Sequence, residues 1–193
     1  MEDKLINEKE SLEIISNMIA TTRKKFERGG GRYFLIWGYS TLFVSLIVWY
    51  LISNYSSYLI HWLWFLIPVI GMSLVLTTGG RQKMNVKSHL DSMINNIWLG
   101  VGLIAVITPL LTIFPQGHRL PVLLIEGVVV CIGLITTGII IKSNITVIGG
   151  AFGVLLSYLT IFVHGSDTIL IFAAMSLFSM IIPGHIMSVR NKK

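Results

Sequence analysis

The sequence predicts an all-α fold, a polytopic bundle of six transmembrane helices preceded by a cytoplasmic amphipathic helix. Three observations predict it. Charged residues make up 12% of the chain and hydrophobic ones 53%, with a mean hydropathy of +0.76. Soluble domains carry about 25% charge; a chain this poor in polar surface suits a bilayer, whose lipid tails accept an apolar exterior. The apolar residues fall into six runs of about twenty, the length that crosses a ~30 Å hydrocarbon core at ~1.5 Å per residue. The bases lie between those runs rather than inside them, as topology determinants do.

The elements follow in order. Residues 1–28 predict a helix outside the bilayer: Leu5, Leu12, Ile19 and Phe26 recur every seven residues, and Leu12, Ile15 and Ile19 share one face. Glu8 and Thr22 interrupt that face, which argues against a long autonomous coiled coil. Acids come early (Glu2, Asp3, Glu8, Glu10, Glu13) and bases late (Arg23, Lys24, Lys25, Arg28). That order complements the helix dipole and sets the basic end beside anionic headgroups. Gly29, Gly30 and Gly31 are expected to stop this helix and act as a hinge. The domains expected are therefore 1–31 (cytoplasmic helix and hinge), 32–189 (six-helix transmembrane domain) and 190–193 (basic cytoplasmic tail).

The first span is expected over about 33–53, with Trp37 at one end and Trp49 and Tyr50 at the other as interfacial anchors. The second covers about 58–78, with Trp62 and Trp64 near its start and Pro68 inside. A loop from Gly79 carries Arg81, Lys83 and Lys87, and Ser88 is a candidate cap for an amphipathic lead into the third span, about 95–114, with Pro109 inside. The fourth is expected over about 121–141, with Pro121 suited to its first turn. A tight turn at Lys142, Ser143 and Asn144 leads to the fifth, about 145–163. Ser166 or Asp167 can cap the sixth, about 168–188. No cleavable signal peptide is expected, because about thirty mostly polar residues precede the first apolar run.

Counting bases on alternate sides of six spans leaves every Lys and Arg except Arg119 on one side. Positive segments stay in the cytosol, so both termini are expected there and the number of crossings is expected to be even. A net charge of +6 is accounted for by this pattern, and nucleic acid is not expected as a partner. The lone cysteine, Cys131, lies within a span and excludes an internal disulfide. Two short echoes about sixty residues apart suggest a parallel repeat of helical hairpins: Ile36-Trp37 with Ile97-Trp98, and Thr77-Thr78-Gly79 with Thr136-Thr137-Gly138.

Helices in lipid associate through close packing, which small residues allow. Gly149, Gly153 and Ser157 form such a stripe on the fifth span, suited to contacts within the bundle or to a dimer interface. Glu126 is the only acid within an expected span, about a turn and a half from its outer end. It can reach headgroups or water, pair with Arg119 or His118, or handle protons or cations. His61, His118 and His164 are expected on the same outer side, where with Glu126 and Asp167 they offer metal- or proton-binding groups, although their spacing matches no zinc motif. His185 follows Pro183-Gly184, where a kink is expected. The three-glycine run lacks the Gly-Lys-Ser/Thr ending of a phosphate loop, and no Gly-x-Ser-x-Gly elbow occurs. No enzyme chemistry and no cofactor are expected.

Glu10-Ser11-Leu12-Glu13-Ile14-Ile15 through Met18-Ile19, then Leu35-Ile36-Trp37-Gly38-Tyr39 and Ile181-Ile182-Pro183-Gly184-His185, resemble a family of small inner-membrane proteins of Bacteroidetes-type bacteria. The resemblance spans nearly the whole chain and implies six helices in the bacterial inner membrane; it implies no activity and no site residues. The function expected is an accessory or regulatory one, the N-terminal helix docking on a cytoplasmic protein, on a second copy or on the protein's own inner loop. The alternative is a small-molecule or ion transporter that uses Glu126. From the charge pattern, reporter tags at Lys83 and Lys193 should both report the cytosol, and a tag in the Asn54–Ser57 connection the opposite side.

Overall fold

A computed structural model of the chain describes residues 8–55, 57–79, 89–112, 114 and 120–190. The expected Arg81–Lys87 loop, the Ser88 cap, the turn containing His118 and Arg119, and the final three residues lie outside the described residues. Every regular element among the described residues is helical: α1 Glu8–Asn54, α2 Leu66–Gly79, α3 His89–Leu111, α4 Val122–Ile140, α5 Asn144–Leu159, α6 Asp167–Ser176 and α7 Ile182–Arg190. A 3₁₀ helix, Tyr58–Phe65, runs into α2, and a π-helical turn, Leu177–Ile181, joins α6 to α7. Five stretches are long and apolar enough to cross a membrane: Gly30–Asn54, Leu59–Thr78, Leu90–Leu111, Val122–Ile140 and Asp167–Val189. The fifth expected span is shorter than foreseen. Helix α5 has 16 residues, about 24 Å at ~1.5 Å each, and gives way to turns from Thr160.

The glycine hinge expected at Gly29–Gly31 is not a break. Helix α1 runs unbroken for 47 residues, about 70 Å. Glycine here serves close approach instead: a Cβ on Gly31 would lie 2.9 Å from the Gly184 carbonyl oxygen, and one on Gly184 would lie 3.0 Å from that of Gly31. Seven residues on, a Cβ at Gly38 would meet the Ile181 side chain at 2.8 Å. The two helices therefore touch backbone to backbone where the sequence alone suggests a change of direction.

Proline sets the other irregularities. Pro68 has no N–H for the carbonyl of Trp64, and the chain is 3₁₀ up to Phe65 and α-helical from Leu66. Pro183 cannot bond the carbonyl of Ser179, and the π-helical turn ends two residues before it. The α4–α5 turn is a Schellman motif. Lys142 takes a left-handed conformation (φ 54°), its N–H bonds to the Ile139 carbonyl, and the Ser143 N–H reaches Gly138 at 2.8 Å.

The α6–α7 rod is the axis of the bundle, with α1 packed on one side and α5 on the other. Helix α4 packs on α5, α3 packs on α4, and α2 packs on α1. Burial follows that order: over an apolar eighteen-residue window of each stretch, 56% is buried in Asp167–Val189, but 11% in Leu59–Thr78 and in Leu90–Leu111. Phe34, Ile94, Leu134 and Met187 form one apolar cluster; Val44, Val48, Ile60 and Ile169 form another toward the Asn54 end of α1. The tryptophans of the two echoed segments each lie across the following helix: Trp37 over Gly71 of α2, and Trp98 donating to Thr137 Oγ1 of α4 at 3.2 Å.

Gly31→Val should lower the melting temperature in detergent by the cost of overpacking, about 1–3 kcal/mol. Gly100→Val, where a Cβ meets nothing within 4 Å, should leave it nearly unchanged.

Candidate functional site

Helix α4 begins after Pro121, whose carbonyl accepts the Ile125 N–H at 3.0 Å. That places Glu126 about one turn inside the helix. Residues three back and four on share its face. Leu123 packs into the Val44–Val48–Ile60–Ile169 cluster and Val130 into the Phe34–Leu134 cluster, so the face they share with Glu126 is turned inward. The carboxyl is buried, with 8% of the residue exposed.

Of the readings open for Glu126, reaching headgroups or water does not fit this burial, and pairing with Arg119 or His118 falls outside the described residues. The apolar side chains above and below it fix which face of α4 meets the bundle, and Glu126 goes with them. Thr108 of α3, the helix packed on α4, is also buried. The Thr108 hydroxyl donates to the Ile104 carbonyl at 2.9 Å. Oε1 of Glu126 has no hydrogen-bond partner; the other such buried side-chain atom among the described residues is Oγ of Ser45, on α1.

Among the described residues the structure does not gather the other acid and histidine groups around this carboxyl. His61 lies exposed on the 3₁₀ helix and His164 exposed in the α5–α6 turn. His118 and Arg119 are outside the described residues. Asp167 opens α6 and accepts from Trp49 Nε1 at 3.3 Å, tying that helix to α1. Among the described residues no group of three or more His, Cys, Asp or Glu is placed to hold a metal ion. At the other end of the bundle His185 Nε2 lies 2.9 Å from Tyr39 Oη, a hydrogen bond between α7 and α1.

The small-residue stripe on α5 is buried inside the bundle, between two partners. On one side Gly149 faces Pro183, Gly153 faces Ser179, and Ser157 Oγ lies 3.4 Å from Met175 Sδ. On the other, Ser157 faces Gly127, Gly153 faces Cys131, and Gly150 faces Ile135. Both contacts step by about one helical turn in antiparallel register, so three helices share one seam. A Cβ at Gly153 would sit 2.5 Å from Cys131 Sγ and 2.9 Å from Ser179 Cβ.

Sequence reasoning missed Thr108, Ser45 and Thr137. A threonine or serine in an apolar run usually turns its hydroxyl to its own helix, as Thr108 and Thr137 do here. The one available signal was the Thr108-Pro109 pair, where a side chain and a backbone irregularity coincide.

Cys131 is fully buried at the shared seam. A membrane-permeant maleimide should leave it unmodified in the folded protein and label it fully after denaturation, as read by intact mass.

Neither a protein-family model, nor a curated protein, nor a solved structure matches the chain.

Proposed function

We propose that this chain is a non-enzymatic integral protein of the bacterial inner membrane, whose N-terminal helix is a rigid cytosolic arm that docks a protein partner. It crosses the bilayer six times, with both termini in the cytosol. Helix α5 supplies the remaining crossing beside the five long apolar stretches, locked between α4 and the α6–α7 rod. The basic segments between helices support the orientation.

One observation carries the role of the arm: α1 is continuous. The residues from Glu8 to Gly30 extend about 33 Å beyond the start of the apolar stretch, at ~1.5 Å per residue. A flexible tether would lose its orientation at a hinge; a helix in one piece with a membrane span holds its outer half at a fixed angle. On that half Leu12 is 66% exposed, with Glu13, Ser16 and Asn17 exposed around it. An apolar side chain on a projecting helix is the usual anchor of helix-in-groove recognition.

The buried carboxyl of Glu126 favours a second role, that of a small-molecule or ion transporter. The two separate experimentally. Deleting residues 1–28 should leave the bundle in the membrane and remove its co-purifying cytosolic partner; unchanged partners and unchanged oligomeric state would exclude the arm. Glu126→Gln should then leave partner capture intact while abolishing any proton-linked flux in reconstituted vesicles.

A further inference from the structure

Helices α1 and α7 touch at Gly31 and Gly184 and again at Gly38 and Ile181. The outer side of that contact carries a hydrogen bond: Tyr39 Oη and His185 Nε2 lie 2.9 Å apart. Arg32, Tyr39 and Phe43 share one face of α1, and Ile182, His185 and Val189 share one face of α7. All six are exposed. Because Tyr39 and His185 bond to each other, the two faces border the same side of the contact. The neighbouring helices lie elsewhere. Trp37, two residues from Tyr39 and so across the helix, meets Gly71 of α2; Pro183, two residues from His185, meets Gly149 of α5.

Counting hydrogens shows what this side lacks. A neutral histidine has one ring N–H and tyrosine one O–H. The bond between them uses one of the two, in either tautomer. The other, on His185 Nδ1 or Tyr39 Oη, has no acceptor among the described residues. The pair sits inside an apolar stretch, His185 being four residues, about 6 Å, from its end at Val189. Water is scarce there, and an unmet donor is costly. The acceptor available at the edge of the hydrocarbon is the ester carbonyl of a phospholipid.

The groups on either side of the pair fit the rest of such a molecule. Gly31 lies against Met187 and Ser188, so Arg32 is on the headgroup side of His185. Helix α1 has no acid between Gly29 and Asn54, and α7 has none, so no carboxylate on these stretches opposes that charge. Deeper in the stretch, Phe43 stacks on Tyr39 with ring centroids 6.1 Å apart, and Ile182 is exposed beside them. Cation, hydrogen-bond donor and apolar surface follow one another in the order of phosphate, ester and acyl chain.

We propose that the outer side of the α1–α7 contact binds an anionic phospholipid, its phosphate on Arg32, an ester carbonyl on the spare hydrogen of the Tyr39–His185 pair and an acyl chain along Phe43 and Ile182. The inference rests on the membrane location of the chain and on neither the arm nor Glu126.

The test uses the full chain in detergent and native mass spectrometry of its lipid adducts, with phosphatidylglycerol and phosphatidylcholine as probes. The choline of the second cancels the charge of its phosphate. Wild type should retain phosphatidylglycerol about fivefold better, the preference that one base beside an anionic headgroup gives. Arg32→Gln should erase that preference and Arg32→Lys should keep it, whereas Lys142→Gln, in the α4–α5 turn, should leave it unchanged. The double variant Tyr39→Phe, His185→Phe has no spare hydrogen, so it should retain both lipids about fivefold less, the loss of one hydrogen bond. Ether-linked phosphatidylglycerol, which has no ester carbonyl, should show the same loss on wild type and no further loss on the double variant.

Equal retention of the two headgroups by wild type, or an equal effect of Lys142→Gln and Arg32→Gln, overturns the proposal. So does a double variant that holds lipid as wild type does, or equal retention of ether and ester forms. Displacement of the lipid by equimolar inorganic phosphate would make this a free-anion site and overturns it as well. In a Cys131→Ala background, an oxidative cross-link between copies through Phe43→Cys would place a second copy on this face, with the same consequence. Deleting residues 1–28 or introducing Glu126→Gln should change none of these readouts, so failure of either functional role is distinguishable from failure of the lipid site.

Discussion

Apolar side chains gain little by leaving lipid for protein, so a bundle in a bilayer is held by how closely its backbones can approach. In this chain that closeness is concentrated in one seam. Gly149, Gly153 and Ser157 of α5 meet Gly127 and Cys131 of α4 on one side and Met175, Ser179 and Pro183 on the other. At several of these positions an added methyl group would fall within 3 Å of a neighbour. The contact between α1 and α7 at Gly31 and Gly184 repeats the device across the rod. Together they make α6–α7 the best buried stretch of the molecule and fix the rest around it.

What lies outside those contacts is held more weakly. Helices α2 and α3 are the least buried of the long stretches, each packed chiefly on one neighbour. The hydrogen bond from Trp98 to Thr137 pins α3 near one end. Toward the other end lies the buried Thr108, whose hydroxyl donates to the Ile104 carbonyl of its own helix. A displacement of α3 would disturb little of the core, whereas moving α5 would disturb most of it.

Irregular helix geometry in this molecule traces to proline, and each irregularity is put to use. The π-helical turn before Pro183 seats the proline ring against Gly149, and the 3₁₀ entry before Pro68 carries Trp64 onto Phe172, ring centroids 5.8 Å apart and edge to face. Glycine, by contrast, does not interrupt the helices here. A bilayer-facing helix keeps its hydrogen bonds because no water is present to replace them, so glycine within or beside a span acts as a site of close approach.

The sequence by itself determined the class of the molecule, an all-helical bundle with several stretches apolar enough to cross a membrane, and the role of the α5 stripe as a packing surface. Those properties are one-dimensional: run length against bilayer thickness, and small residues at helical spacing. It did not determine that α1 continues through three glycines, because glycine's weak helix propensity is overridden by a partner helix that only the fold supplies. Nor did it determine that Glu126 turns inward, since depth along a helix is legible in sequence but direction around it depends on which neighbours Leu123 and Val130 find.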